Sequence, residues 1–467
     1  VKPLLRNALT VGGADAAARV AGFATTVYLA RVLGPAAFGL AMIGASLLVY
    51  LSLMAGPGFP QVETRNTARP GWMTPARVDA ILTLRTLLSL FLAVAWMIVL
   101  FLVSAPGDAR TVILLYVLSL FPLALALDWW FQGKERFGDA GAYKVIGAVA
   151  YGLTAFFLVR GPGDVAFVPA AFFAGNAAAA AWLLLRYIGT EPLPRWRFSL
   201  PDARGILAGN APVGLAVFLG GSVVSLPPIL LGVAAGEAEA GIYSAAAKIV
   251  VVILLLDRLL NALLLPAFTR KLAGSSEDAR ELAGLALKVV LSVMLPLGVA
   301  LTFAAPAVIR FVFGSAYLAG VDALRFLVWY CVVTLLNSLF TLLLVGSGRE
   351  SEYTRAMVVG SAVAVCFVAA GAFLRGASGA AAGVVAGELV TATLMLRRCF
   401  PRLLDDVSAI AVRPLAGALL MTAAGAAAMV FGPVAAASAA LAAYVIFALS
   451  GGLFEHRELA RLREKIL

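Results

Sequence analysis

Eight basic residues fall inside long apolar runs: Arg19, Arg31, Arg85, Lys144, Lys248, Arg258, Lys288 and Arg325. The acids embedded with them are Asp15, Asp128, Asp257 and Glu388. A charge at the centre of a bilayer costs about 2.5–3.5 kcal/mol even on the lenient insertion scale, so such residues need a partner, a wet cavity or a task. Asp15 precedes Arg19 by four residues, which places both on one helix face as a mutually neutralising pair. Asp257 and Arg258 are adjacent and point about 100° apart, so at least one of them needs a partner elsewhere. Glu388 is centred in "VVAGELVTA", and Asp128, ahead of "WWFQGKERF", reads as interfacial. Arg31, Lys144 and Arg325 lie near the ends of their runs and can snorkel. A surplus of buried positive charge suits an anion such as phosphate or pyrophosphate, which Arg holds through its planar fork. The competing reading is that each charge pairs off to lock helices together.

Other chemistries are poorly supplied. The one histidine, His456, lies in the polar C-terminal tail, so neither a His-based dyad nor a zinc site can be built from bilayer-facing side chains. Cys331, Cys366 and Cys399 match neither a metal knuckle nor a redox pair and are expected to be buried small apolar residues. Gln61, Asn210 and Asn261 are unranked candidates for sugar contacts. No catalytic or metal-binding residue is expected, and no enzyme activity.

The elements that must hold these residues follow from composition. The chain has 467 residues, 62% hydrophobic and 13% charged, with a mean hydropathy of +0.98 and a net charge of +11. Soluble domains average ~45–50% apolar and ~25% charged, so this chain's solvent must be mostly lipid. About 20 apolar residues cross ~30 Å of hydrocarbon. Runs of that length number about fourteen, from 8–33 to 433–454, with tight turns required at "RGPGD" (160–164) and "FGPV" (431–434). With the N-terminus inside, the inside segments hold 24 basic residues, whereas the outside loops hold Arg110, Arg160, Arg310 and Arg375. That asymmetry predicts a multi-pass protein of the cytoplasmic (inner) membrane with both termini cytoplasmic. The loop charges have an orienting role and give no nucleic-acid-binding face. Lys2 and Arg6 precede an apolar run interrupted by Asp15 and Arg19, unlike a cleavable signal peptide.

An internal repeat is readable at an offset of 202, which places Gly34 on Gly236, Ala36 on Ala238 and Gly39 on Gly241. The expected architecture is all-α and polytopic, with about 14 transmembrane helices. It has two pseudo-symmetric six-helix lobes (1–190 and 204–400), a cytoplasmic linker (191–203), two additional helices (401–454) and a basic tail (455–467). Pro212, Pro227 and Pro228 in the seventh helix are candidate kink or gating positions, because proline removes a backbone donor.

Four segments carry a resemblance: "YLARVLGPAAFGLA", "GFPQVETRNTAR", "GEAEAGIYSAAAKIV...LLPAFTRK" and "FVFGSAYLAGVDALRFLVW". In this order and spacing the chain resembles polysaccharide flippases of the multidrug/oligosaccharidyl-lipid/polysaccharide exporter superfamily. The resemblance implies alternating access by two lobes around a cationic cavity and transport of an undecaprenyl-pyrophosphate-linked oligosaccharide for surface polysaccharide. It also implies a cavity lined by the first, second, seventh and eighth helices, which here carry Arg19, Arg31, Lys248 and Arg258. Members often have a polar or acidic residue in mid-seventh helix where this chain has "SLPPIL", so no ion-coupling role is carried to that helix. The expected partners are the lipid-linked substrate, membrane lipids, a polysaccharide polymerase and glycosyltransferases, with the protein itself a monomer. No cofactor is expected beyond H+ or Na+ coupling, for which Asp15, Asp257 and Glu388 are candidates. Alternatives are a peptidoglycan lipid-precursor flippase and a multidrug/cation antiporter of the same superfamily. The antiporter would favour an acidic, aromatic site.

Overall fold

The computed structural model describes residues 2–103, 107–254, 257, 276–399 and 407–453, and every regular element among them is helical. Arg258, Asn261, His456 and the basic tail lie outside the described residues. Among the described residues, ten helices are long and apolar enough to cross a membrane. The chain is a multi-pass membrane protein that divides into two compact units, Val1–Gly241 and Ile242–Leu467.

In the first unit, α1 (Lys2–Ala55) is broken at Gly34, where φ is 73°. Pro35 drives its predecessor out of the helical region, and glycine takes positive φ without a steric penalty. A second break follows at Gly58, φ 70°, before the short helix α2 (Phe59–Thr67), as the "AGPGFPQ" punctuation predicts. Next come α3 (Pro75–Leu102), α4 (Gly107–Leu118), α5 (Leu120–Leu125) and α6 (Asp128–Gly133). Thr74 caps α3 by accepting from the Arg77 backbone N–H, with Pro75 at the first helical position. The unit continues with α7 (Phe137–Leu158), α8 (Phe167–Ile188) and α9 (Leu200–Ala234), and α10 (Glu237–Ile253) begins at its end. The "RGPGD" segment turns as expected: the Asp164 carboxylate accepts from the backbone N–H groups of Arg160 and Gly161.

One end of this unit is packed with aromatics. Phe59, Trp129, Trp130, Phe131 and Tyr187 are buried together with Ile81, Leu127 and Ile206. The linker between α8 and α9 is pinned along α3, with the Arg195 N–H donating to Asp79 (2.8 Å) and the Arg197 N–H to Thr83 (3.1 Å). Gly236, like Gly34, has positive φ, at 92°. Gly39 and Gly241 approach so closely that a Cβ on Gly39 would lie 1.8 Å from the Glu237 carbonyl oxygen.

The second unit contains α11 (Ser276–Val312), α12 (Val321–Gly346), α13 (Glu350–Cys399), α14 (Val407–Ala428) and α15 (Pro433–Phe447). Its core gathers Leu287, Met294, Leu339, Phe340, Met421 and Tyr444, and the Tyr444 hydroxyl donates to the Ser292 carbonyl at 2.7 Å. α13 is two helices joined at Arg375–Gly376, where Gly376 has φ 56°. Its halves pack through glycine: a Cβ on Gly379 would meet the Gly371 carbonyl oxygen at 2.2 Å, and one on Gly383 would meet the Phe367 backbone at 2.5 Å. The "FGPV" segment also turns as expected, with Gly432 at φ 105° ahead of α15.

Large apolar side chains face outward, among them Phe101, Phe311, Leu374 and Phe431, each more than 80% exposed. Water would penalise each by about 1.5–3 kcal/mol, so lipid is the medium that the surface fits. The cysteine expectation needs one correction. Cys331 and Cys399 are buried, but Cys366 is exposed. In a bilayer an apolar residue need not be covered by protein, so hydropathy alone does not place it inside the bundle.

Candidate functional site

Asp15 and Arg19 form the expected pair, with the Arg19 Nε donating to Asp15 Oδ2 at 2.7 Å. A second cation joins them. Lys144 on α7 donates from Nζ to the other carboxylate oxygen, Asp15 Oδ1, at 2.9 Å. Two cations thus share one carboxylate, leaving one formal positive charge in a half-buried cluster whose side chains are 31% (Arg19), 23% (Asp15) and 39% (Lys144) exposed. Arg19 spends only its Nε on Asp15. Among the described residues its two terminal nitrogens have no partner, so the paired N–H groups that match a phosphate stay available. Sequence reasoning placed Lys144 near a helix end as a snorkelling residue and missed this role. The signal that could have found it is arithmetic: a carboxylate has two oxygens, and Arg19 bonded through Nε uses one of them.

Of the other predicted residues, Arg31 is exposed on α1 shortly before the Gly34 break, twelve residues beyond Arg19. α9 remains helical through Pro212, Pro227 and Pro228, with Pro212 exposed and the other two buried. Asn210 is committed to structure: its Nδ2 donates to Glu63 Oε1 at 3.0 Å and to the Ile206 carbonyl at 2.8 Å, tying α2 to α9. Glu63 is fully buried and also accepts from Asn66.

The second unit holds its own polar cluster. Glu388 on α13 accepts from the Asn337 Nδ2 on α12, and the same nitrogen also donates to the Glu388 carbonyl at 3.2 Å. Lys248, half-buried on α10, has no hydrogen bond or ion pair among the described residues. Arg258 lies outside them. No group of His, Cys, Asp and Glu able to hold a metal occurs among the described residues.

A family described as "Polysaccharide biosynthesis protein" matches residues 4–272, more than half of the chain. The chain belongs to this family. Among solved structures, the polysaccharide biosynthesis chain is similar to the lipid II flippase MurJ in an inward closed conformation. That match has TM-score 0.76 and 13% identity over 94% of this chain and 97% of that one. It is also similar to an inward-facing multidrug resistance MATE family transporter of the MOP superfamily (TM-score 0.64, 18% identity, 85% and 96% covered). A third likeness is to the MATE multidrug transporter DinF-BH in complex with R6G (TM-score 0.58, 16% identity, 85% and 95% covered). At these identities the likeness establishes the fold, and the expected all-helical membrane fold holds. No curated protein matches the chain.

Proposed function

We propose that this polysaccharide biosynthesis protein is a flippase. It carries an undecaprenyl-pyrophosphate-linked oligosaccharide across the cytoplasmic membrane by alternating access, with the anionic pyrophosphate held at Arg19 and Lys144. The observation that carries the reading is the Arg19 geometry: anchored through Nε to Asp15, it keeps its terminal N–H fork for an anion. Family membership supports the polysaccharide setting. The basic excess runs against a site for cationic drugs, and the peptidoglycan-precursor alternative shares the same anionic chemistry.

The proposal includes fourteen passes. α1 and α13 each supply two, on either side of their breaks, and α9 and α10 join the remaining apolar helices. Both termini are cytoplasmic in this reading, which the loop charges support. Arg31, Lys248 and Arg258 are further substrate-binding residues of this reading, and Pro212, Pro227 and Pro228 let α9 bend. H+ or Na+ drives the cycle, with Asp15, Asp257 and Glu388 as the coupling candidates. A polysaccharide polymerase and glycosyltransferases act before and after it, and the flippase works as a monomer.

The test is a binding titration of the purified protein with undecaprenyl pyrophosphate and with undecaprenol. The pyrophosphate is expected to bind at least tenfold tighter, and Arg19→Gln is expected to remove that preference, as loss of a charged hydrogen bond worth about 1.5–3 kcal/mol requires. Equal affinity for the two lipids in the unsubstituted protein contradicts the proposal.

A further inference from the structure

A cavity of about 240 Å³ lies wholly within the first unit and is lined by Gln61, Arg85, Ser89, Asp128 and Tyr143 among its polar groups. Arg85 is fixed there by two backbone acceptors. Its Nη1 donates to the carbonyl of Ala126 (3.0 Å), in the gap between α5 and α6, and its Nη2 to that of Leu123 (2.7 Å), in the last turn of α5. Asp128 lines the same cavity without an ion pair to Arg85 among the described residues, and its Oδ2 accepts from the Gln132 Nε2 at 3.3 Å. Ser89 is fully buried, and its Oγ has no hydrogen-bond partner among the described residues.

The charge balance selects the ligand. One cation and one anion line the same small space, so a phosphate is opposed by Asp128 and a metal or ammonium ion by Arg85. A hydroxyl satisfies both, accepting from the guanidinium while donating to the carboxylate. Hydroxyl and amide groups of Ser89, Tyr143 and Gln61 add further donors and acceptors. At about 30 Å³ per water the cavity has room for several waters or for one sugar ring in their place.

We propose that this cavity is a saccharide subsite that takes a neutral, hydroxyl-bearing sugar ring. The inference rests on the flippase reading and deepens it: pyrophosphate goes to the Arg19–Asp15–Lys144 cluster, and a sugar of the same substrate goes to the Arg85–Asp128 cavity. Buried polar groups built to bond a hydroxyl discriminate strongly against a ligand that lacks it.

The experiment measures binding of two probes to the full-length protein in nanodiscs, undecaprenyl pyrophosphate and undecaprenyl-pyrophosphoryl-N-acetylglucosamine. The glycosylated lipid is expected to bind about tenfold tighter. Asp128→Asn and Tyr143→Phe should each erase most of that difference while the affinity for the bare pyrophosphate stays put. Ser89→Ala, a change too small to unfold the unit, should reduce the difference in the same direction. Equal binding of both probes to the unsubstituted protein, or a preference that survives all three substitutions, overturns the subsite and leaves the anion reading intact. Binding of neither probe overturns the anion reading and the subsite with it.

Discussion

At the scale of single residues, the cluster around Asp15 makes opposite predictions for its members. Removing a cation by Lys144→Met leaves Arg19 and Asp15 as a neutral pair, so the affinity for undecaprenyl pyrophosphate should fall by about tenfold, read by titration. Asp15→Asn removes the anion instead and leaves two cations facing the ligand. It should bind the pyrophosphate more tightly than the unsubstituted protein and release it more slowly, so that turnover drops while affinity rises. A fall in affinity for Asp15→Asn would show that the carboxylate's main task is to position Arg19. Only part of this cluster was legible in the sequence. The Asp15–Arg19 bond follows from a spacing of four on one helix, whereas the Lys144 bond depends on which face of α7 meets α1, across 129 residues of chain. Arg85 was visible as an intramembrane cation, but its two carbonyl partners exist only because the chain breaks after α5, a break that no glycine announces.

At the scale of elements, punctuation decided what could be read. Gly-Pro and Pro-Gly pairs marked the breaks at Gly34, Gly58, Pro162 and Gly432, because proline and positive φ constrain backbone before any tertiary contact forms. The glycines of α13 were a different case. They sit in an Ala/Gly-rich stretch without proline, and their role appears only when its two halves touch. Small residues there let helix backbones approach, as is common where lipid gives no hydrophobic drive between helices. Gly379→Val should therefore disrupt the α13 hairpin, costing about 1–3 kcal/mol or more of stability and lowering Tm in a thermal unfolding assay. Gly12→Val, at a helical position with open space for a Cβ, is the matched control and should not lower Tm.

At the scale of the whole molecule, hydropathy and loop charge carried the reading furthest, because lipid permits few alternatives to a helix once a long apolar run is present. The fold class and family followed from that level together with a handful of short segments. Charge placement also predicts orientation: a tag accessible at either terminus should be protected in right-side-out cells and labelled in inverted vesicles. The claim that organises all of this is that the chain moves an anionic lipid-linked sugar. Its most direct measurement is transfer of a fluorescent undecaprenyl-pyrophosphate-linked oligosaccharide between the leaflets of proteoliposomes, followed by quenching of the outer leaflet. The account predicts rapid transfer with the unsubstituted protein and loss of at least nine-tenths of the rate in Arg19→Gln, at equal reconstitution. Transfer by Arg19→Gln at the unsubstituted rate would contradict it.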